Sequence, residues 1–345
     1  MMNFNSWWSS KTQVSFFSLA ICLVGIWSLT FYASHIQRKD MQRVLGEQVF
    51  SAVSLAALEI NDELNDRLIA LEKVAALITP AILGNAASMQ KFLEDRPDLS
   101  MRFNSGNVVT RLDGIAIAEV PASVGRIGIN YSDRDYIIEA LKGKATISAP
   151  VMGKKSKAPV FIMAHPIRDN KGKVIGVLRG VITLDKPNFI NKIIDNSYGK
   201  TGGYLLTAPQ HKLFVTATDK KRIMTPIPAT GINPLFDRYM QGFEGFGVAV
   251  NSLGVKELTA SKKIPAAGWF IIGKIPTAEA FAPIESMRQH LLQTALLFTL
   301  LAVALTCWFI KNRQVKETLV DQVAERVAIV PVSYTHLTLP TKRIV

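Results

Sequence analysis

The stretch Gly128-Ile129-Asn130-Tyr131-Ser132-Asp133-Arg134-Asp135-Tyr136 decides the fold. It leads into residues 131–141, whose pattern favours a short helix, with Ser132 or Asp133 placed to cap the first amides through a side-chain oxygen. Strands are predicted on both sides of this helix, at 114–118, 159–167 and 174–184. A short helix among strands that turns connect indicates a module of the α+β class.

A second group of the same kind follows the first. Pro187 predicts the start of a helix that ends near Asn196, and another helix is predicted at 234–241. Further strands are predicted at 203–207, 212–216, 246–250, 255–261 and 269–275. The sequence therefore predicts two modules of helix plus antiparallel strands, at about 80–186 and about 197–276.

A long helix precedes both modules. Apolar residues recur every three or four positions from Val49 to Ile78, which predicts one apolar stripe. No glycine or proline interrupts the segment between Glu47 and Thr79, and Pro80 is expected to stop it. A helix of about 45 residues reaches some 65 Å, which is longer than a compact domain is wide. We expect it to be a spine that carries the two modules.

Two uncharged apolar runs bracket this region, at 14–34 and 291–310. Each has about 20 residues, enough for a helix to cross the roughly 30 Å hydrocarbon core of a bilayer. The first run could instead be a cleaved signal peptide, but it is longer than the usual apolar stretch and Phe31 is bulky for a cleavage site. Both runs are therefore predicted to be transmembrane helices.

The positive-inside rule gives divided evidence on orientation. At the first span, the cations that follow the helix outnumber Lys11, which precedes it. This span alone therefore favours an orientation with the amino terminus outside. The cations that follow the second span are Lys311, Arg313 and Lys316. They place the carboxyl end in the cytoplasm, and two spans then also place residues 1–13 there and 36–290 outside.

Composition excludes several classes of function. The net charge is +13, but the cations are dispersed and interleaved with carboxylates, so we expect no nucleic-acid partner. Cys22 and Cys307 both lie in the predicted spans, and the histidines show no metal-ligand spacing. Gly199-Lys200-Thr201 lacks the first glycine of a phosphate-binding loop, since Ile194 stands in its place. The sequence predicts no catalytic site, no metal and no cofactor.

Several motifs, in this order, resemble the double Cache sensor domains of bacterial transmembrane receptors. The motifs are residues 128–136, Ile147-Ser148-Ala149-Pro150, Ala164-His165-Pro166-Ile167, Gly172, Gly176-Val177-Leu178, Tyr198 to Leu205 and Gly268-Trp269-Phe270. The resemblance covers about 36–290. It implies two stacked PAS-like modules on a long amino-terminal helix in the periplasm, with a small ligand in the membrane-distal module, about 80–186, and signalling through the last helix.

The resemblance also implies which residues bind the ligand. Arg134 and Tyr136 match an arginine and an aromatic residue that hold the ligand carboxylate in the amino-acid-binding members, and a guanidinium fits a carboxylate bidentately. From the residues alone, a local ion pair of Arg134 with Asp133 or Glu139 is the favoured interpretation. His165 is expected to pack in a strand rather than bind a ligand.

The chain departs from the amino-acid-binding pattern. Ile129 and Ile137 stand where that pattern has aromatic residues, and no aspartate for a ligand ammonium is evident. The corresponding loop, 151–157, carries three lysines, which repel an ammonium and attract an anion. We therefore expect a small carboxylate or another anionic metabolite. The predicted ligand-binding residues are Tyr131, Arg134, Tyr136, Ser148 and Lys155.

After the second span, 311–330 is predicted to be an amphipathic signalling helix or the start of a HAMP-like linker, of the kind that forms dimeric coiled coils. Pro331 breaks the pattern. Residues 331–345 resemble a translated sequencing adapter and are expected to be a non-native tail, so that the natural protein would continue into an output domain.

These observations predict the sensory and membrane portion of a bacterial inner-membrane receptor. We expect the receptor to be a homodimer. A diguanylate cyclase of the GGDEF class is the output that we expect, with a histidine kinase or a chemotaxis transducer as the next choices. A membrane-anchored binding module without output is the alternative. A membrane enzyme or transporter is disfavoured, because two spans without intramembrane charge make a poor substrate path.

Overall fold

The computed structural model describes residues 10–195, 199–251 and 253–328. Several predictions lie outside the described residues: the first nine residues of the predicted cytoplasmic segment, the predicted helix end at Asn196, Tyr198 of the sixth motif, residues 329 and 330 of the predicted signalling helix and the predicted tail at 331–345.

The described chain is a mixture of helices and antiparallel strands, as the sequence predicts. The helices are α1 (Ser10–Ala75), α2 (Pro80–Leu83), α3 (Ala86–Glu94), α4 (Pro97–Met101), α5 (Asp135–Leu141), α6 (Phe189–Ile194), α7 (Pro234–Met240), α8 (Thr277–Ala280) and α9 (Ala282–Ala328). The strands are β1 (Asn107–Arg111), β2 (Ala116–Val120), β3 (Thr146–Ile147), β4 (Val151–Met152), β5 (Pro159–Arg168), β6 (Val174–Thr183), β7 (Gly203–Ala208), β8 (Leu213–Ala217), β9 (Gly245–Val250), β10 (Lys256–Ile264) and β11 (Trp269–Pro276).

The strands form two antiparallel sheets. The first has the order β2-β1-β6-β5-β3, and the short β4 also pairs with β5. The second has the order β8-β7-β11-β10-β9. The predicted α+β class is confirmed, while β1, β3 and β4 were not anticipated. The latter two have only two residues each, too short to leave a pattern in the sequence.

The predicted apolar stripe of the long helix is present in α1. Its members are all buried except Leu68, which is half-buried, and all but Ile78 lie in α1: Val49, Val53, Ala57, Ile60, Leu64, Leu68, Leu71, Ala75 and Ile78. The predicted end at Pro80 is wrong, because α1 ends at Ala75. Proline disfavours helical geometry in the residue before it, and Thr79 is extended accordingly. Pro80 instead begins α2, and the Thr79 hydroxyl caps that helix by accepting from the Ile82 amide.

The predicted cap of the helix in the decisive stretch is also wrong. Helix α5 begins at Asp135 after Arg134, and no side chain caps it. The Ser132 amide is instead held by the Asn130 side chain, and the Asp133 carboxylate accepts from the Lys154 ammonium. These competing partners keep the preceding residues out of the helix.

The two sheets and α1 share one hydrophobic core within the compact unit Asp40–Pro283. At its centre, Phe161 of β5 meets Trp269 of β11 edge to face, with ring centroids 5.3 Å apart. Trp269 is only 2% exposed, so this contact joins the first sheet to the second through a closed interior.

The other compact unit consists of residues 1–39 and 284–345, of which the structure describes 10–39 and 284–328. Two helical segments are long and apolar enough to cross a membrane, Val14–Ala75 and Ala282–Arg326. Their most apolar windows are 0% and 6% buried within the protein. Each segment therefore exposes a broad apolar surface, as a helix that contacts lipid would. Cys22 and Cys307 are free and exposed.

Candidate functional site

A cleft lies on the first sheet beside α5, beneath the loop that follows β4. It contains about 350 Å³ of space between its walls, the open solvent at its mouth included. The residues that line it are Arg126, Tyr131, Arg134, Tyr136, Val151, Met152, Gly153, Lys154, Lys155, Ser156, Val160, Ile162, Arg179 and Val181. We call it the distal cleft.

Arg179 of β6 lies at the buried end of the distal cleft and is 2% exposed. Its Nη1 donates to the Tyr136 hydroxyl at 3.1 Å, and its guanidinium lies 3.6 Å from the centroid of the Tyr131 ring. Burial raises the pKa of Tyr136, although the charge of Arg179 opposes the shift, so the hydroxyl stays neutral at physiological pH. Two aromatic side chains thus hold the guanidinium in place.

Arg126, also buried, lies near Arg179. Its Nη2 donates to the Ser105 carbonyl and hydroxyl, both at 2.8 Å, and its Nη1 lies 3.8 Å from the Glu119 carboxylate. Burial lowers the pKa of Arg126, Glu119 opposes this shift, and the positive charge of Arg179 adds to it. The Arg126 guanidinium therefore faces a buried carboxylate on one side and the positive charge of Arg179 nearby.

Three cations occupy the mouth of the distal cleft. Arg134 donates from Nη2 to the Met152 carbonyl at 3.3 Å and lies 4.0 Å from the Asp133 carboxylate. The Lys154 ammonium donates to the same carboxylate at 2.5 Å, and Lys155 is exposed. The hydrogen bond from Lys154 lowers the pKa of Asp133. The local ion pair of Arg134 with Asp133 and its place in the cleft are thus compatible.

Among the described residues, the lining of the distal cleft contains three arginines, two lysines and no carboxylate. Four buried nitrogen atoms of these arginines have no hydrogen-bond acceptor among the described residues: Arg126 Nη1, Arg134 Nε, Arg179 Nε and Arg179 Nη2. A buried donor without a partner costs roughly 1–3 kcal/mol, more for a charged group. An anion in the cleft would supply the acceptors that these donors lack.

Four of the five residues predicted from the sequence lie in this cleft. Ser148 does not line it. Its hydroxyl accepts from the Ile162 amide and donates to the Ala149 carbonyl, which ties the short β3 region to β5. His165, expected to pack in a strand, is half-buried in β5.

Arg126 and Arg179 were missed by the sequence reasoning. Arg179 carries the only charge in the apolar strand Val174–Thr183, and a lone charge in a buried strand was a signal that could have found it. Arg126 lies in the connection between β2 and α5 and left no comparable signal.

A second cleft lies in the module of the second sheet, and we call it the proximal cleft. Apolar side chains such as Phe214 and Phe236 line it together with Arg222 and Lys274. Lys274 is paired with Glu257, which also lines the cleft, at 3.0 Å. One of its two cations therefore has a carboxylate partner in the described lining, unlike any cation that lines the distal cleft. In the described part of the chain, no cluster of three histidine, cysteine or acidic side chains could hold a metal ion.

The family model described as Cache domain (dCache_1) matches residues 37–284. This match confirms the predicted resemblance, and it identifies the middle of the chain as a sensor domain rather than a catalytic one. No curated protein matches the chain at a significant level.

Solved ligand-binding domains of chemoreceptors share the fold. One is that of PctB of Pseudomonas aeruginosa in complex with L-Arg, with 20% identity, a TM-score of 0.55, and coverage of 69% of this chain and 97% of that one. Another is that of CtaA of Pseudomonas fluorescens in complex with L-serine, with 18% identity, a TM-score of 0.53, and coverage of 70% and 99%. A third is that of PctC of Pseudomonas aeruginosa in complex with GABA, with 16% identity, a TM-score of 0.52, and coverage of 67% and 99%.

Proposed function

This chain belongs to the Cache-domain family, and on that premise we propose that it is the sensory and membrane portion of a bacterial receptor that binds a small anionic metabolite, such as a carboxylate, in the distal cleft. The observation that carries the proposal is the lining of that cleft, in which Arg126, Arg134 and Arg179 converge with two lysines and no carboxylate. Guanidinium groups are well suited to carboxylates because their paired donors match the two oxygens.

The absence of a carboxylate from the lining argues against an α-amino acid as the ligand. The structural neighbours include domains in complex with L-Arg, L-serine and GABA, all of which carry an amino group. At the buried end of the distal cleft an ammonium would meet Arg179, and at the mouth the Asp133 carboxylate is already engaged by Lys154. A ligand without an ammonium avoids this repulsion.

The proposed topology has two membrane passages, with residues 36–290 in the periplasm and both termini in the cytoplasm. The two apolar helical segments that flank the matched domain support this arrangement, as do the cations that follow the second segment. Ligand binding would shift an existing equilibrium between two arrangements of the last helix, α9, in a homodimer.

The output that the sensor controls is a further part of the proposal. A diguanylate cyclase is the output that we expect, whereas the solved neighbours come from chemoreceptors, which supports a chemotaxis transducer. A sensor of a histidine kinase and a binding module without output are the remaining alternatives. Sequencing the locus beyond residue 330 discriminates among these four possibilities.

The anion proposal is tested by a thermal-shift screen of segment 36–288, which contains the whole compact unit Asp40–Pro283. We expect small carboxylates to raise the melting temperature and the Arg134→Ala variant to lose the gain. Arg111→Ala removes an exposed arginine outside the distal cleft and is the matched control. A screen in which only cationic or neutral compounds stabilise the segment contradicts the proposal, as does an unchanged response of Arg134→Ala.

A further inference from the structure

The distribution of charge in the distal cleft points to a more specific ligand class. We propose that the cleft binds a small dicarboxylate, or a comparable ligand with two separate anionic groups, one at the buried end and one at the mouth. This inference rests on the proposed anion-sensing function and adds the number and the placement of the charges.

The buried end has one positive charge more than its own carboxylate can balance. Arg126 and Arg179 are 4% and 2% exposed, and Glu119 is their buried acidic neighbour. One Glu119 oxygen accepts from the Arg126 amide at 2.8 Å, and the other lies 3.8 Å from Arg126 Nη1. Arg179 forms no ion pair among the described residues, and its charged neighbour Arg126 repels it. A carboxylate here would balance the charge of Arg179.

The unpartnered donors at this end match one carboxylate in number. Arg179 Nε, Arg179 Nη2 and Arg126 Nη1 are buried and have no acceptor among the described residues. A carboxylate has two oxygens with about four lone-pair sites, so a single group can accept from all three donors. A hydroxyl or an amide carbonyl offers fewer sites and no charge.

The mouth has its own positive excess. Arg134 and Lys154 both lie beside the Asp133 carboxylate, which Lys154 already engages, and Lys155 adds a third cation to the lining. Arg134 Nε is buried without a hydrogen-bond acceptor. A carboxylate bound at the buried end could not also balance these cations, so the excess at the mouth calls for a second anionic group.

The two ends are close enough for one small ligand. The Tyr131 ring lies 3.6 Å from the Arg179 guanidinium and 5.5 Å from the Lys154 ammonium, measured to its centroid. The two cations are therefore within about 9 Å of one another. A short dicarboxylate can place one charge beside each of them.

The test compares ligands that differ by one charge on the same carbon skeleton. Binding isotherms of the full chain in lipid nanodiscs are recorded with succinate and its monoamide succinamate, with glutarate and glutaramate, and with sulfate as a compact dianion. We expect at least one dicarboxylate to bind at least tenfold more tightly than its monoamide. The Lys154→Gln/Lys155→Gln variant should reduce that ratio below threefold, and Lys171→Gln, which removes an exposed lysine of the β5–β6 turn, should keep it.

Each other outcome overturns the inference, and the pattern shows whether the proposed function fails with it. A monoamide that binds within threefold of its dicarboxylate shows that one anionic group suffices, and the anion-sensing function then stands. Sulfate that binds as tightly as the best dicarboxylate shows a single dianionic group, again with that function intact. If neither dicarboxylate binds, the inference fails. If only cationic or neutral compounds then stabilise the segment in the thermal-shift screen, the proposed function fails as well.

Discussion

Arg179 Nη1 donates a hydrogen bond of 3.1 Å to the hydroxyl of Tyr136. This bond links the middle of β6 to the first turn of α5. The bond fixes the plane of the guanidinium in the distal cleft. The other two nitrogen atoms of Arg179 have no acceptor among the described residues. Positioning of this kind reduces the entropy that ligand binding would otherwise cost.

The first prediction concerns the Tyr136 hydroxyl. Tyr136→Phe keeps the ring and removes the acceptor of Arg179, so we expect the affinity for a small carboxylate to fall by about 1 kcal/mol, roughly fivefold. Binding isotherms of parent and variant measure the change. Tyr239→Phe removes another buried hydroxyl, one that bonds to Thr259 in the second module, and should leave the affinity unchanged. An equal loss in both variants contradicts the assigned role of Tyr136.

The second prediction concerns the buried acid behind the cleft. Glu119→Gln removes the buried carboxylate that faces Arg126, so we expect the free energy of unfolding to fall by about 3 kcal/mol. Asp113→Asn breaks the exposed pair with Arg111 and should cost less than about 1 kcal/mol. Urea denaturation of the unliganded segment 36–288 checks both values. A Glu119→Gln variant as stable as the control contradicts the claim of excess buried charge.

Only part of this site was predictable from the sequence. Tyr131, Arg134 and Tyr136 lie in one short stretch, so a local motif was enough to find them. Arg179 lies 43 residues beyond Tyr136 and reaches the cleft only because the sheet order brings β6 next to α5 and the loop after β4. Such convergence of distant segments is a tertiary property, which periodicity and local motifs do not contain.

The fold shows the same division. The stripe of α1 and the long strands β5 and β6 were predicted, because burial of one face or of a whole strand leaves a regular apolar pattern. The predicted end of α1 and the predicted start of α5 were wrong. Both boundaries depend on which neighbouring group accepts hydrogen bonds from a few backbone amides. Asn130 and Thr79 decide those bonds, and several nearby polar residues could have done so equally well.

The third prediction concerns the contact between the two sheets. Trp269→Ala removes a 2%-exposed side chain that packs on Phe161, so we expect a loss of about 4 kcal/mol in unfolding free energy. Met101→Ala, at a side chain that is 83% exposed, should change it by less than about 0.5 kcal/mol. Urea denaturation of segment 36–288 provides both values.

The shared core also predicts a single unfolding transition for both modules. Trp269 is the only tryptophan between residues 40 and 283, so its fluorescence reports on the second sheet and on its contact with the first. We expect the fluorescence and circular-dichroism curves of the parent segment to coincide. Two separated transitions would contradict a common core.

The fourth prediction concerns pH. Burial lowers the pKa of His165 from its usual 6.5, while the Pro166 carbonyl and Glu72 oppose the shift and Arg168 adds to it. The unfolded chain then binds more protons than the folded one below about pH 6.5, so stability is full above that value and is lost as the pH falls toward the lowered pKa. We expect the free energy of unfolding to decrease from pH 7.5 to pH 5.5.

The control for that prediction is a pair of histidine variants. His165→Asn should flatten the decrease, while His211→Asn, at an exposed turn of the second module, should keep it. Denaturation curves of segment 36–288 at several pH values give the slopes. A His165→Asn slope equal to that of the parent contradicts the assignment.

The most direct measurement compares one arginine from each cleft. Isotherms of succinate and butyrate are recorded for the parent chain, for Arg179→Met in the distal cleft and for Arg222→Gln in the proximal cleft. We predict that at least one of these carboxylates binds the parent, that Arg179→Met weakens its binding about a hundredfold, or roughly 3 kcal/mol, and that Arg222→Gln leaves it within twofold. Binding that is lost in Arg222→Gln and kept in Arg179→Met, or no binding of either carboxylate to the parent, would contradict the account.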